Sequence, residues 1–311
     1  MPCLVNHFAR WEISALQTIS RDPARRTIAV GTILAAMILW PVVISDANAA
    51  PKSKPNQIKY EYVPPTNPAH QPIHDQMKQG RALEHLQELL APLRLSYPLT
   101  IKVEGCDGAA NAFYSDEVVT VCYELLADIL KSAPTQDLPG GLSRADTILG
   151  PVLAIFLHET GHAVFNMLQI PVLGREEDAA DQFAAYVMLR LGKDEARRLM
   201  LGAAYHHRIQ MPGQEVKIPV QALSNEHSTP AQRAFNILCM GYGADKKLFA
   251  DVVEKDLLPR GRAEVCEREY DDVDFAMTKL IKPHIDQRLA KKFHEVWART
   301  VNARRANLAA R

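Results

Sequence analysis

Apolar and polar positions alternate with two different periods along this chain. From Ile73 to Leu93 the apolar residues Met77, Leu83, Leu86, Leu89 and Leu90 recur near helical spacing, which predicts helix. From Tyr97 to Tyr123 the period shortens. Leu99-Thr100-Ile101-Lys102-Val103 alternates and is β-branched, and Ala112-Phe113-Tyr114 and Val118-Val119-Thr120-Val121-Cys122 flank a Ser115-Asp116-Glu117 turn. This segment predicts a small antiparallel sheet. Helical patterning dominates the rest. Ser143 followed by Asp146 is a helix start, and Gly150-Pro151 is expected to kink that helix or restart it. Positions 151–168 are apolar almost all round, the mark of a central, buried helix. A break at Ile170-Pro171-Val172-Leu173-Gly174 precedes a helix from about Glu176 to Leu191. Further helices are expected over 194–209, 230–241, 245–255, 262–281 and 284–306, with 210–229 irregular.

The two ends of the pattern need separate treatment. Arg21, Arg25 and Arg26 precede an apolar run from Thr27 to Ile44, and Ala47-Asn48-Ala49 has the small-x-small form of a signal peptidase site. Residues 1–49 therefore read as a signal peptide, which makes the protein exported, to the periplasm or the cell exterior. The alternative is an uncleaved inner-membrane anchor over residues 27–44, the one contact with a membrane that the sequence suggests. Residues 50–72, rich in Pro, Lys, Asn and Gln, read as an extended, mobile linker, and 73–311 as a single domain. Arg299, Arg304, Arg305 and Arg311 near the C-terminus read as a solvated face.

Composition narrows the partners. With 36 basic and 36 acidic residues in 311, nothing global points to nucleic acid. Beyond Cys3, four cysteines remain, and an even number in an exported protein suggests disulfides. Cys106–Cys122 and Cys239–Cys266 are the favoured pairs because each brackets a short local segment; buried thiols are the alternative. Zinc ligation by cysteine is disfavoured because no C-x-x-C spacing occurs.

The chemistry concentrates in His158-Glu159-Thr160-Gly161-His162, an H-E-x-x-H motif inside the strongest helix. Histidines at i and i+4 share one helical face, so both imidazoles can reach one zinc ion (Zn2+). Glu159 projects about 100° round the helix from His158, beside a metal-bound water, where it can serve as general base. By residue frequency alone the motif arises in roughly one chain of this size in a hundred. Its apolar setting argues against chance, because buried histidines and a buried glutamate need compensation. A catalytic zinc usually has a third protein ligand, and Glu177, with Asp181 one turn on, begins the next helix. Glu177 completes a His, His, Glu set, and Asp181 can accept the free ring N–H of His158. Glu176 and Asp178 read as acids complementing the helix dipole, and Ala179-Ala180 leave room for close approach of the two helices. His70, His74, His85, His206 and His207 read as structural.

Taken together, His158-Glu159-x-Gly161-His162 and Glu177-x-x-Ala180-Asp181 resemble the gluzincin pattern of zinc peptidases. The stretch from Phe156 to Ala185 is more closely similar to a bacterial family of uncharacterised metallopeptidase-like proteins, catalogued as a domain of unknown function. That similarity extends through Asn111-Ala112-Phe113-Tyr114, Cys122-Tyr123-Glu124, Glu226-His227, Gln232-Arg233 and Cys239. The resemblance implies a zincin-like core with His158, His162 and Glu177 as zinc ligands, Glu159 as base and Asp181 as the acid behind His158. It also implies a downstream donor to the tetrahedral oxyanion, for which His227 is the first candidate and Arg233 the second. An edge strand, 111–114 or 118–122, is implied as the place where an extended substrate pairs.

The expected fold is α+β and mostly helical, with the small antiparallel sheet packed against a two-helix zinc core. The expected activity is zinc-dependent hydrolysis of peptide bonds in a peptide or protein substrate. Two other readings remain open: a catalytically silent, zinc-stabilised peptide-binding or envelope-maintenance protein, and an amidase acting on a non-protein amide.

Overall fold

The alternation at Leu99–Glu104 is realised as a central strand. In the computed structural model, which describes residues 58–138, 141–211 and 224–297, Leu99, Ile101 and Val103 of that strand are completely buried. All of these residues belong to one compact unit beginning at Ala49, and the expected signal segment 1–49 lies outside them. Four strands form one sheet: β1 (Ile58–Tyr62), β2 (Leu99–Glu104), β3 (Ala112–Ser115) and β4 (Val118–Cys122), in the order β1-β2-β4-β3.

The sheet is mixed, which corrects the antiparallel expectation. Only β3 and β4 run antiparallel; β1 pairs with β2, and β2 with β4, in parallel. The local hairpin is visible in sequence because its turn is two residues long, Asp116 (φ 50°) and Glu117 (φ 58°), both in the left-handed region that such hairpins require. Parallel neighbours need long crossovers and leave no local signature. The β1–β2 crossover contains α1 (Gln71–Gln79) and α2 (Ala82–Leu90). Residues 58–72, expected as part of a mobile linker, instead supply β1 and the short helix Pro68–His70; Ile58 anchors the strand in the core while its next three residues are exposed.

After β4 come α3 (Tyr123–Ser132), α4 (Arg144–Leu168), α5 (Glu176–Met188), α6 (Lys193–Ile209) and α7 (Pro230–Ala244). Short helices α8 (Ala250–Glu254) and α9 (Arg260–Ala263) and the longer α10 (Cys266–Ala276) follow, then a π-turn at Met277–Ile281. The single helix expected over 262–281 is therefore interrupted. Of the expected 284–306 helix, residues 287–297 are helical, His284 ends a short 3-10 helix and 285–286 are not helical; residues 298–306, and most of 210–229, lie outside the described residues. Both favoured disulfides are formed. Cys106–Cys122 ties the loop after β2 to the end of β4, and Cys239–Cys266 ties α7 to α10.

Helix α4 organises the molecule. A capping box starts it: Ser143 Oγ accepts from the Asp146 amide at 3.1 Å, and the Asp146 carboxylate accepts from the Ser143 amide at 3.1 Å. It runs unbroken through Pro151, where a kink or restart was expected. Proline removes one hydrogen bond there, but the neighbouring helix supplies the restraint. α6 crosses at Gly150 and Gly202 so closely that a Cβ on Gly150 would lie 2.4 Å from the Leu199 carbonyl oxygen, and one on Gly202 only 2.0 Å from that of Asp146. Among the described residues α4 is the one helix long and apolar enough to cross a membrane. It is, however, wrapped by α5, α6 and the β3–β4 hairpin, as the core helix of a globular unit is.

Candidate metal centre

The close packing that positions the site is written into the motif itself. Gly161 faces Ala180, and a Cβ on the glycine would lie 3.2 Å from the Ala180 Cα. Two small residues thus let α5 lie directly on α4. Glu177, on the turn before Ala180, and Asp181, the residue after it, are carried against the histidine face.

The result is a cluster of short contacts. His158 Nδ1 is 2.8 Å from Asp181 Oδ1, and His158 Nε2 is 3.0 Å from Glu177 Oε2. His162 Nδ1 is 2.8 Å from Glu176 Oε1, and its Nε2 is 3.5 Å from Glu177 Oε1. The two Nε2 atoms face each other across 3.2 Å. Arg233, from α7, donates to Asp181 twice, Nε at 2.8 Å and the guanidinium terminus at 2.6 Å. His227 brings its Nε2 to 2.8 Å from Glu177 Oε2 and stacks on His158 with ring centroids 6.0 Å apart. Glu159 is buried on the same helix.

Electrostatics follow from these neighbours. Burial would lower the His158 pKa, but hydrogen bonds to Asp181 and Glu177 outweigh it and hold it up at about 9. Glu177, bonded to His158, is pulled down to about 2. Burial would raise Asp181, yet His158 and Arg233 hold it far below the usual carboxylate range. Glu159 is pushed up by burial. His227 is pushed down by burial despite Glu177. In α6, burial takes His207 down to about 3, with Arg233 acting in the same direction.

The donor set fits a zinc ion. Each histidine has a carboxylate on Nδ1, a partner that would hold the Nδ1–H tautomer and leave Nε2 to a bound ion. Two nitrogens on one tetrahedral zinc at about 2.0–2.1 Å lie about 3.3 Å apart, close to the 3.2 Å found here. His158, Glu177 and His227 also present ligand atoms within 4.8 Å of one another.

All the candidate site residues on α4 and α5 are therefore brought together, and His227 and Arg233 join them. Two differ from expectation in position. Arg233 is held by Asp181 on two nitrogens, so it backs the carboxylate behind His158 and is not aimed at a substrate oxygen. His227 rests on the Glu177 carboxylate. Two further residues had been read as helix-dipole acids. Glu176 holds His162, and Asp178 accepts from Ser228 Oγ at 2.6 Å. Asp178 also pairs with Arg175 at 3.4 Å. Their first-turn location gave a sufficient local explanation, and the partners come from other elements.

Fold and site together define an α+β protein with a histidine–carboxylate centre between two packed helices. The chain belongs to the domain-of-unknown-function family described as "Putative metallopeptidase", whose model matches residues 62–281. No curated protein and no solved structure matches it.

Proposed function

We propose that this protein is a gluzincin-type zinc peptidase that hydrolyses peptide bonds with a metal-activated water. The observation that carries the reading is the convergence of His158 Nε2, His162 Nε2 and the Glu177 carboxylate, with a second carboxylate behind each histidine. His158, His162 and Glu177 would hold the ion. When bound, zinc lowers the pKa of a coordinated water toward neutrality and polarises a substrate carbonyl.

The chain's own residues do the rest. Glu159, made more basic by burial, takes the proton of the attacking water and passes it to the leaving amine. Asp181, clamped by Arg233, orients His158, and Glu176 orients His162. β3 is an edge strand, and Tyr114 on it donates to Asn166 Oδ1 of α4 at 3.1 Å. An extended peptide paired to that edge would run beside the histidine helix. Two disulfides support an oxidising, exported setting reached through residues 1–49 as signal peptide.

The test is digestion of an unbiased peptide mixture by wild type and Glu159→Gln, read by mass spectrometry with zinc content measured in parallel. The variant should keep its zinc and lose about 10²–10⁴-fold in turnover. Undiminished cleavage by the variant would remove Glu159 as base. Absence of cleavage by a zinc-loaded wild type would favour a peptide-binding protein that does not cut.

A further inference from the structure

Glu177 Oε2 lies between two imidazole nitrogens. His158 Nε2 lies 3.0 Å from it and His227 Nε2 lies 2.8 Å from it. The two rings are nearly parallel, 21° apart, and present the same nitrogen to the same oxygen. At 2.8 Å from Glu177 Oε2, His227 Nε2 sits beside an atom of the proposed ligand set.

The backbone around it is fixed from both sides. The His227 amide donates to Asn225 Oδ1 at 2.8 Å, and Ser228 Oγ donates to Asp178, the residue after Glu177. Thr229 then caps α7. The side chain itself is 41% exposed, against 5% for His158 and 16% for His162. Two imidazoles are thus held between the helices, while the third reaches solvent and would give up only its stacking on His158 and its contact with Glu177 on leaving.

From this, and resting on the zinc centre proposed above, we infer that His227 is a fourth protein ligand in the resting protein, and that it must leave before substrate is processed. Four protein ligands close a tetrahedral zinc, whereas a catalytic site keeps one position open. The exchange is simple in charge: neutral imidazole departs and neutral water or a substrate oxygen enters. The centre would therefore be self-closed, and occupancy of the cleft would open it.

X-ray absorption spectroscopy of the zinc-loaded full-length protein counts the imidazoles directly. Three are expected in wild type and two in His227→Ala, with an oxygen in the third one's place. A peptide carrying a zinc-chelating hydroxamate should reduce wild type to two. Zinc transfer to a chelator should be faster in His227→Ala by at least about 10-fold, since even outer partners of a ligand are worth 10–100-fold in affinity. Because His227 is exposed, the variant should melt close to wild type once zinc-loaded. Two imidazoles in both proteins, with both counts dropping in His162→Ala, would overturn the inference and leave the zinc centre standing. A wild-type count that His162→Ala does not change would overturn both.

Discussion

Two pairs of histidines in this chain share the i, i+4 spacing, and they have unlike surroundings. His70 and His74, in the short 3-10 helix and α1, are buried beside the Tyr123 ring, with centroids 5.9 and 6.3 Å from it. His70 Nδ1 and His74 Nε2 are buried without a hydrogen-bond partner. His158 and His162 have a carboxylate on each Nδ1 and a shared one at Nε2. Spacing on a helix makes a metal site possible; here a second helix, brought close by Gly161 and Ala180, adds the carboxylates that such a site would need. The first pair packs against an aromatic ring, and the second pair faces carboxylates.

That contrast can be broken or sharpened by mutation. The largest effect is expected from Asp181→Ala, which leaves Arg233 and His158 without their shared carboxylate. Removing one partner of such a buried group costs about 3–5 kcal/mol, read as a loss of denaturant midpoint, and zinc affinity should fall with it. A variant of wild-type stability would mean that Arg233 is already solvated. Replacing Cys106 and Cys122 together should cost about 2–4 kcal/mol, because that bridge pins the sheet beside the first pair. Zinc content should not change, and a fall in it would show that the two regions are coupled. His74→Ala should cost about 1–2 kcal/mol in lost packing and should also leave zinc content intact.

The smallest effect is on pH dependence. In chelator-treated protein the depressed pKa of Glu177 adds stability that is complete above its ordinary 4.5 and lost as pH falls through about 2. The raised pKa of His158 adds stability that is complete below 6.5 and lost as pH rises through about 9. The melting advantage of wild type over Glu177→Gln should therefore be greatest between about pH 4.5 and 6.5. An advantage still growing above pH 7 would contradict this assignment of charges.

What the sequence made legible divides along the same line between local and distant. The Ser143 cap, the H-E-x-x-H face, Glu177 with Asp181, and both disulfides involve residues close in the chain or one helix apart. The roles of Asp178 and Arg233 depend on partners 50 and 52 residues away, across helix contacts that periodicity does not encode. Glu176 lies only 14 residues from His162, but its place in the first turn already had a sufficient reading. β1 was hidden for a related reason: its five residues sit between prolines, and their partner strand begins some forty residues later. At Pro151 the helix does not restart, and the close Gly150–Gly202 crossing beside it is a tertiary contact that no local rule for proline contains.

The proposed single zinc centre between α4 and α5 is open to direct measurement by metal stoichiometry. Full-length wild type and a His70→Ala, His74→Ala double variant should each hold one zinc per chain after dialysis, and Glu177→Ala should hold almost none. Wild-type protein without zinc, or a Glu177→Ala variant that keeps its zinc in full, would contradict it.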